Sequence, residues 1–315
     1  MDFWISFANF FASAIRLTAP IALGTLACTI SERAGVINIG IEGTMLFSGF
    51  LAAVGAYYTG SPWVGLLCGC AAGAFLALIL GVLAIYCNGQ QIVIGIGLNL
   101  FGPGFAYMLM RALWDTTGIS PWVEGFQAVN IPLLSRIPIA GTMLSGYPAC
   151  IYLGLLAVAV MQYLLHRTAW GLRIRAVGEN PNTADAAGIN VTKYKYVATC
   201  AGSMIAGLGG LYYVMDYACG VWSNNGFGDR GWLAIALVIF TVWRPNIGVF
   251  ASFLFGGLYI LHMFIPSGMN LAVKELYKML PYVITILVLV IVSMQKKREN
   301  DPPASLGLSY FREER

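Results

Sequence analysis

Long apolar runs constrain the fold of this chain more than any other feature. We count nine of them in 315 residues, at approximately 7–30, 40–59, 63–87, 91–112, 148–165, 196–215, 230–243, 247–265 and 279–294. Most approach the roughly 20 residues that a helix needs to cross a bilayer. They are continuous rather than alternating, which favours helices over a β-barrel. Only 10% of the residues are charged, against about 25% in a soluble domain. We therefore predict an all-α polytopic membrane protein with about 8–10 transmembrane helices.

The distribution of Lys and Arg predicts the orientation of these spans. If the polar loop at 166–196 is cytoplasmic, twelve of the eighteen basic residues lie on the cytoplasmic side and five outside, with Arg16 inside the first span. Cytoplasmic loops usually carry this excess. We thus expect an external N-terminus, a cytoplasmic C-terminus and a partly ordered external loop at 113–147. The domain division is a transmembrane domain at 1–295 and a cytoplasmic tail at 296–315, which we expect to be solvated.

The polar loop at 166–196 contains a short helix with signals at both ends. Asn180 is suited to the N-cap position, and Pro181 fits the first helical position because it needs no N–H there. Gly188 suits the left-handed position after the helix. The helix, 181–187, spans about two turns and is too short to be stable alone. We therefore predict that it docks against a partner; an ordered loop without a partner is the alternative.

Two stretches carry a family resemblance. The run VGENPNTADAAGIN at 177–190 resembles the coupling loop of permease subunits in ATP-binding-cassette (ABC) importers of the sugar, nucleoside and branched-chain amino acid branch. The run SERAGVINIGIEGTMLFSGF at 31–50 resembles the permeases that work with nucleoside-binding lipoproteins of the basic membrane protein type.

The resemblance implies a function and a set of partners. It implies alternating access driven by a separate cytoplasmic ATPase that holds ATP and Mg, with no cofactor in this chain. It further implies a second, homologous permease subunit, an external substrate-binding lipoprotein, a nucleoside-like solute and a bacterial inner-membrane location. The loop at 167–195 would be the cytoplasmic coupling loop. The residues expected to couple to the ATPase are Gly178, Glu179, Asn180, Pro181, Ala184, Ala187 and Gly188.

Two glycine-rich breaks suggest an inverted repeat with broken helices. Residues 35–43 read GVINIGIEG and residues 226–231 read GFGDRG, and each break contains an acidic residue, Glu42 or Asp229. The first leads into a span that runs outward and the second into one that runs inward. Interrupted segments in corresponding halves point to a transport site. Chance clustering among 37 glycines is the alternative.

A glycine-rich break leaves backbone groups without helical hydrogen bonds, and within a bilayer such groups must face protein or water. Asn38 and Glu42 lie in such a break and are therefore candidates for the solute pathway. A local ion network of Glu42 with Glu32 or Arg33 is the alternative.

Further polar side chains are candidates for the same pathway. Gln91 and Asn99 fall on nearly the same face of the fourth span, where their amides suit an uncharged polar solute or, alternatively, interhelical hydrogen bonds. A polar and aromatic cluster near the outer end supplies Trp222, Asn225, Asp229 and Trp232 as candidates. An ordinary interfacial aromatic belt also explains that cluster.

The remaining features indicate packing rather than chemistry. The cysteines form no CxxC pair and the two histidines lie far apart in sequence, so we predict no metal site. Gly69 and Gly73 form a GxxxG pair, which predicts close helix packing. The dipeptide Gly-Lys does not occur, so this chain lacks an ATP-binding P-loop and is not predicted to be an enzyme.

Two other functions remain open from the sequence. One is a stand-alone secondary transporter of a polar solute, and the other is a membrane-embedded assembly factor. Among solutes, simple sugars and riboflavin-like molecules are alternatives to nucleosides.

Overall fold

The computed structural model describes residues 2–116, 118–130, 141, 143, 145–223, 227–264, 271–294 and 301–311. Within them, the helices are α1 Asp2–Arg33, α2 Ile41–Thr59, α3 Pro62–Gly81, α4 Gln91–Trp114, α5 Ala149–Arg167, α6 Ala169–Glu179, α7 Pro181–Ala186, α8 Val191–Tyr212, α9 Arg230–Phe240, α10 Pro245–Ile260 and α11 Leu271–Met294. A π-helical turn continues α3 as Val82–Tyr86 and α8 as Tyr213–Tyr217. The strands β1 Ala128–Val129 and β2 Tyr147–Pro148 pair antiparallel.

Each of the nine predicted apolar segments overlaps one of these helices, and the all-α membrane architecture is confirmed. Five helices of the described residues are long and apolar enough to cross a bilayer by themselves: α1, α3 with its π turn, α4, α5 and α8 with its π turn. By contrast, α9 has 11 residues and α10 has 16. At 1.5 Å per residue, α9 is about 16 Å long and crosses only half of the hydrocarbon core.

The centre of the molecule is the antiparallel pair α1 and α8. A Cβ at Gly202 would lie 2.6 Å from the Ala27 carbonyl oxygen, and one at Gly209 would lie 3.2 Å from that of Pro20. Near the other end of α8, the Tyr212 hydroxyl donates to the Arg16 carbonyl at 3.0 Å. Small residues thus allow the two backbones to approach closely, as is common between membrane helices.

The GxxxG pair packs as predicted. A Cβ at Gly73 would collide with the Ser203 carbonyl, and a Cβ at Gly69 would lie 3.3 Å from the Ser48 carbonyl oxygen. From the facing helix, a Cβ at Gly207 would lie 2.6 Å from the Gly69 carbonyl oxygen. These glycines hold α3 against α8 and α2.

The two halves of the chain repeat the same packing in opposite directions. Helix α1 packs against α8, α9 and α10, while α8 packs against α1, α2 and α3. Each of these central helices is followed by a glycine in the left-handed region and a valine: Gly35 (φ +81°) before Val36, and Gly220 (φ +84°) before Val221. An extended break and a second helix then follow in each half. This arrangement is the predicted inverted repeat with broken helices.

The described part of the loop at 113–147 packs onto the break after α8. The Ser120 amide donates to the Trp222 carbonyl at 2.9 Å, and the Ser120 hydroxyl accepts from the Trp222 amide at 2.9 Å. The Val123 amide donates to the Gly220 carbonyl at 2.9 Å. This part of the loop therefore covers the C-terminal end of α8, while 131–140 lies outside the described residues.

Part of the C-terminal tail is packed rather than solvated. Among residues 301–311, Ser305 is 5% exposed and its hydroxyl donates to the Gly178 carbonyl. The expectation of a solvated tail is wrong for this stretch, because its small residues fit between the α6–α7 loop and the break after α1. Residues 295–300 and 312–315 lie outside the described residues.

Candidate solute pathway and coupling loop

Two amide side chains on α4 hold the break between α1 and α2 in an extended shape. The Gln91 Oε1 accepts from the Ile37 amide at 2.7 Å. Two turns further along α4, the Asn99 Oδ1 accepts from the Gly43 amide at 2.8 Å, and its Nδ2 donates to the Ile39 carbonyl at 2.9 Å. In this conformation both candidates bind the backbone of a neighbouring segment, which matches the alternative of interhelical hydrogen bonding.

Asn38 lies inside this break and is almost fully buried, at 1% exposure. Its Nδ2 donates to the Ser203 hydroxyl on α8 at 3.3 Å. Its Oδ1 finds no hydrogen-bond partner among the described residues. An unpaired buried amide oxygen is costly, so Asn38 has an acceptor available for a donor that enters the break.

The α4 helix also fixes the depth of the break. Eight residues separate Gln91 from Asn99, which is about 12 Å along the helix axis. Gly43, bound to Asn99, therefore lies about 12 Å beyond the start of α4. Since α4 is long and apolar enough to cross a bilayer, the first turn of α2 lies within the length of a membrane-spanning helix rather than at its end.

At this depth the two breaks meet. Glu42, 7% exposed, accepts from the Gly231 amide at 2.5 Å through its Oε2. Gly231 lies in the first turn of α9, so the Glu42 side chain satisfies an amide that a helix start leaves free. The two glycine-rich motifs are thus one structural unit, and α9 begins within the membrane.

The candidates from the polar and aromatic cluster take different positions. Trp222 is 1% exposed, packs on Phe50 with ring centroids 5.3 Å apart, and donates from Nε1 to the Leu46 carbonyl at 2.9 Å. Its indole is therefore inaccessible to a solute in this conformation. Trp232 is 42% exposed, and Asp229 is exposed with a left-handed backbone (φ +57°). Asn225 lies outside the described residues.

Arg230, at the start of α9, belongs to the polar and aromatic cluster that the sequence places around Trp222 and Trp232. The Arg230 guanidinium lies over the rings of Tyr213, 4.9 Å from its centroid, and Tyr217, at 4.8 Å. It also donates to the Phe227 carbonyl. The Tyr213 and Phe227 rings meet edge to face at 4.7 Å. This cation–π arrangement ties the π turn after α8 to the start of α9.

Glu32 and Arg33 secure the other end of α9 instead of pairing with Glu42. The Glu32 Oε2 accepts from the Trp243 indole at 2.5 Å, and the Arg33 Nε donates to the Trp243 carbonyl at 3.0 Å. The backbones of Val242 and Trp243 are both left-handed, with φ of +54°, which is strained for a β-branched residue. The local ion network proposed as the alternative for Glu42 does not occur among the described residues.

The predicted short helix in the polar loop is confirmed as α7. Asn180 is its N-cap and accepts from the Thr183 amide at 3.0 Å. Pro181 occupies the first turn, and Gly188 adopts the left-handed region (φ +83°). Ala187 is the C-cap residue.

The loop that carries α7, residues 178–190 and here named the α7 loop, is packed against the protein on one side and exposed on the other. Ala184 is 4% exposed and packs with Val177 and Val191. Glu179, Asn180, Ala187 and Gly188 are exposed. This combination leaves a surface on which a partner can dock.

Helix α6, before this loop, was not predicted. Its N-cap Thr168 accepts from the Gly171 amide at 3.2 Å; that threonine was the available signal. At the far end of α6, a Cβ on Gly178 would collide with the Arg33 carbonyl. The loop that carries α7 is therefore in direct contact with the end of α1 and the start of the break.

Comparison with known proteins identifies the family. The model of branched-chain amino acid transport system permease components matches residues 10–289. The chain belongs to this family. It is a multi-pass membrane permease, and permease components are not themselves enzymes. A permease of this kind operates with an ATPase and a substrate-binding component.

Three relatives illustrate the range of the family. The permease is 33% identical to a putative glucose ABC transporter permease protein of Haloferax volcanii over 260 residues, 81% of this chain and 77% of the relative. It is 32% identical to a guanosine ABC transporter permease protein of Bacillus subtilis (86% and 88% covered). It is 31% identical to a nucleoside ABC transporter permease protein of Lactococcus lactis (88% and 90% covered). No solved structure matches the permease.

Proposed function

We propose that this permease moves nucleosides inward across a bacterial inner membrane, driven by a separate cytoplasmic ATPase. The observation that carries the proposal is the junction between the α7 loop and the break after α1. Gly178 packs against the Arg33 carbonyl, and the break leads within seven residues to Glu42 and the start of α9. A displacement of α7 can therefore be transmitted over a few residues to Glu42 and the start of α9.

An uncharged polar solute suits the groups around the break. Asn38 supplies an unpaired acceptor, and Trp232 offers an exposed indole next to the start of α9. An indole can stack on a nucleobase, and amides can bond ribose hydroxyls. The guanosine and nucleoside permeases among the relatives support this choice. A simple sugar is the second candidate, supported by the glucose permease relative.

The remaining site residues are proposed in two groups. Gly178, Glu179, Asn180, Pro181, Ala184, Ala187 and Gly188 form or support the surface that docks on the ATPase. The pathway residues are Asn38, Glu42, Gln91, Asn99, Trp222, Asn225, Asp229 and Trp232. Within this second group we assign Gln91 and Asn99 the task of holding the backbone of the break.

The proposed assembly includes a second, homologous permease and an external binding lipoprotein. Helix α4 is consistent with a partner subunit because its apolar side chains are widely exposed, Leu100 by 74% and Val93 by 59%; lipid is the other possible neighbour. ATP and Mg bind the ATPase. The N-terminus and the loop at 113–147 lie outside, while the loop at 167–195 and the tail at 296–315 lie in the cytoplasm.

The test is reconstitution of the permease with its ATPase, partner permease and binding protein in vesicles. Uptake of labelled nucleoside should require ATP and should be reduced by competing nucleosides more than by glucose. The reverse order of competition would make the solute a sugar. Uptake by the permease alone, driven by an ion gradient, would overturn the ATP-driven mechanism.

A variant at the helix cap probes the docking surface. Asn180→Ala removes the N-cap of α7. Asn190→Ala removes the equivalent cap of α8, where the Asn190 Oδ1 accepts from the Lys193 amide at 3.0 Å. Either change costs about 1 kcal/mol of helix stability. We expect only Asn180→Ala to weaken co-purification of the ATPase; equal retention of the ATPase by both variants would contradict docking through α7.

A further inference from the structure

Residues 303–310, here named the C-terminal strap, lie beyond the part of the chain that matches the family model. They occupy the space between the α7 loop, the break after α1 and the inner end of α8. Their contacts differ from those of a free tail, because several are hydrogen bonds to buried backbone.

One end of the strap is bonded to the loop that carries α7. The Ser305 amide donates to the Gly178 carbonyl at 3.0 Å, and its hydroxyl donates to the same carbonyl at 2.5 Å. The hydroxyl also lies 3.3 Å from the Val177 carbonyl oxygen. Further along, Tyr310 packs on the cluster that contains Val177 and Ala184. The strap therefore holds both the end of α6 and the buried side of α7.

Two residues later, the strap is bonded to the break. The Gly307 amide donates to the Gly35 carbonyl at 3.2 Å. Gly307 is left-handed (φ +78°), and a Cβ there would lie 2.7 Å from the Ile37 Cδ1. Gly35 is also left-handed, and its Cβ would lie 3.1 Å from the Ser305 hydroxyl. Glycine at both positions permits this close approach.

A buried lysine fixes the strap to α8. Lys195 is 3% exposed, and its Nζ lies 3.5 Å from the Leu308 carbonyl oxygen. A buried ammonium group needs an acceptor. The exposed Ser309 hydroxyl adds a contact of 3.4 Å with the Asn88 carbonyl oxygen, in the turn before α4.

We propose that the strap transmits movement of the α7 loop to the break after α1, with Ser305 and Gly307 as positioning residues. The direct contact between Gly178 and Arg33 resists only compression, since separating two packed groups meets little resistance. Hydrogen bonds from the strap to Gly178 and Gly35 also resist separation, so the loop can pull the break as well as push it. This inference rests on the proposed ATP-driven function.

The experiment uses the complete transporter in vesicles and measures the ratio of solute molecules imported to ATP hydrolysed. Ser305→Ala removes the hydroxyl bonds, and Gly307→Ala adds both backbone strain and contact with Ile37. Ser309→Ala is the matched control, because its exposed hydroxyl bonds neither Gly178 nor Gly35, the two groups that the proposal joins. We expect ATPase binding to persist in all three variants. The ratio should fall about three- to tenfold in the first two, as for loss of one hydrogen bond, and stay unchanged in the control.

Amide hydrogen exchange on the same complex gives a readout independent of transport. The Ser305 and Gly307 amides should be protected, and their protection should change between nucleotide-free and ATP-trapped states. Equal protection in both states, or an unchanged transport ratio in Ser305→Ala, would show that the strap only packs against the protein and would overturn the inference. If the wild-type complex shows no ATP-driven uptake, the proposed function fails first and the inference fails with it.

Discussion

The Glu42 carboxyl group accepts a hydrogen bond from the backbone amide of Gly231, which is 189 residues away in the chain. The contact joins the start of α2 to the start of α9, and both starts lie at the depth of Asn99 within the membrane. Each helix start leaves free amides that lipid cannot satisfy. Glu42 satisfies one such amide of α9, as Asn99 does for α2 through Gly43, and the Glu42 contact ties the two halves of the inverted repeat together.

Gly231 should tolerate no side chain. A Cβ there would lie 2.5 Å from the Glu42 Cα and 2.6 Å from its Oε2. We expect Gly231→Ala to lower the free energy of unfolding by about 1–3 kcal/mol through overpacking. Solute uptake should fall as well. Thermal unfolding in detergent and uptake in vesicles measure the two effects.

The matched control for that variant is Gly97→Ala. Gly97 lies inside α4, and a Cβ there meets no atom within 4 Å. Alanine is the better helix former by about 0.5–1 kcal/mol, so stability should hold or rise. Similar losses in both variants would show that the Gly231 contact has no special importance.

Asn99 should act on the rate of transport rather than on solute affinity. Asn99→Ala leaves the Gly43 amide and the Ile39 carbonyl without their present partner, at a cost of about 1–3 kcal/mol. Asn99→Asp keeps an acceptor for Gly43 but loses the donor to Ile39, so it should be intermediate in stability. We expect a lower maximal uptake rate, with the KM changed less than twofold. A large rise in KM with unchanged stability would instead mark Asn99 as a solute contact.

Trp243 should be needed to keep Glu32 satisfied. Trp243→Phe removes the indole donor from a carboxyl group that is only 6% exposed. We expect a loss of about 1–3 kcal/mol in the free energy of unfolding. Adding Glu32→Gln to Trp243→Phe should cost less than the sum of the two single changes, because either single change already removes the contact between the indole and the carboxyl group. Strict additivity in a double-mutant cycle would contradict coupling between these residues.

Gly188→Ala should disturb coupling without disturbing the spans. Gly188 has a φ of +83° and no atom within 4 Å of an added Cβ, so only backbone strain opposes the change. That strain is about 1–2 kcal/mol. Gly60→Ala is an equivalent control, since Gly60 also has a positive φ (+66°) and no atom within 4 Å of an added Cβ. Gly60 is the C-cap of α2 and does not belong to the loop that carries α7. We expect ATPase stimulation by solute-loaded binding protein to fall in Gly188→Ala alone.

Local patterns predicted the elements well because their causes are local. Apolar runs of span length located the helices. Asn180, Pro181 and Gly188 marked α7 because capping depends on residues within one turn. Helix α6 was missed because its residues 169–179 are polar enough to resemble a loop. Only the threonine at its N-cap indicated that a helix begins there.

Long-range pairings escaped the sequence reasoning for a different reason. Gln91 and Asn99 looked equally suited to a solute and to a neighbouring helix, and only their distances to Ile37 and Gly43 favour the second interpretation. The tail sequence around Ser305 looks like a solvated end, since its composition does not reveal the narrow space that it fills. Solute contacts remain predictions.

By itself, the sequence determined a helical membrane protein, the approximate limits of its spans, its short capped helix and the positions of its two breaks. Hydrophobic length and helix capping act within one segment, so they can be read along the chain. The tertiary structure alone decided that the breaks meet at Glu42 and Gly231, that Glu32 binds Trp243, and that residues 303–310 join the α7 loop to Gly35. Those contacts depend on how helices far apart in sequence pack together, and many equally apolar pairings are compatible with the same pattern of residues.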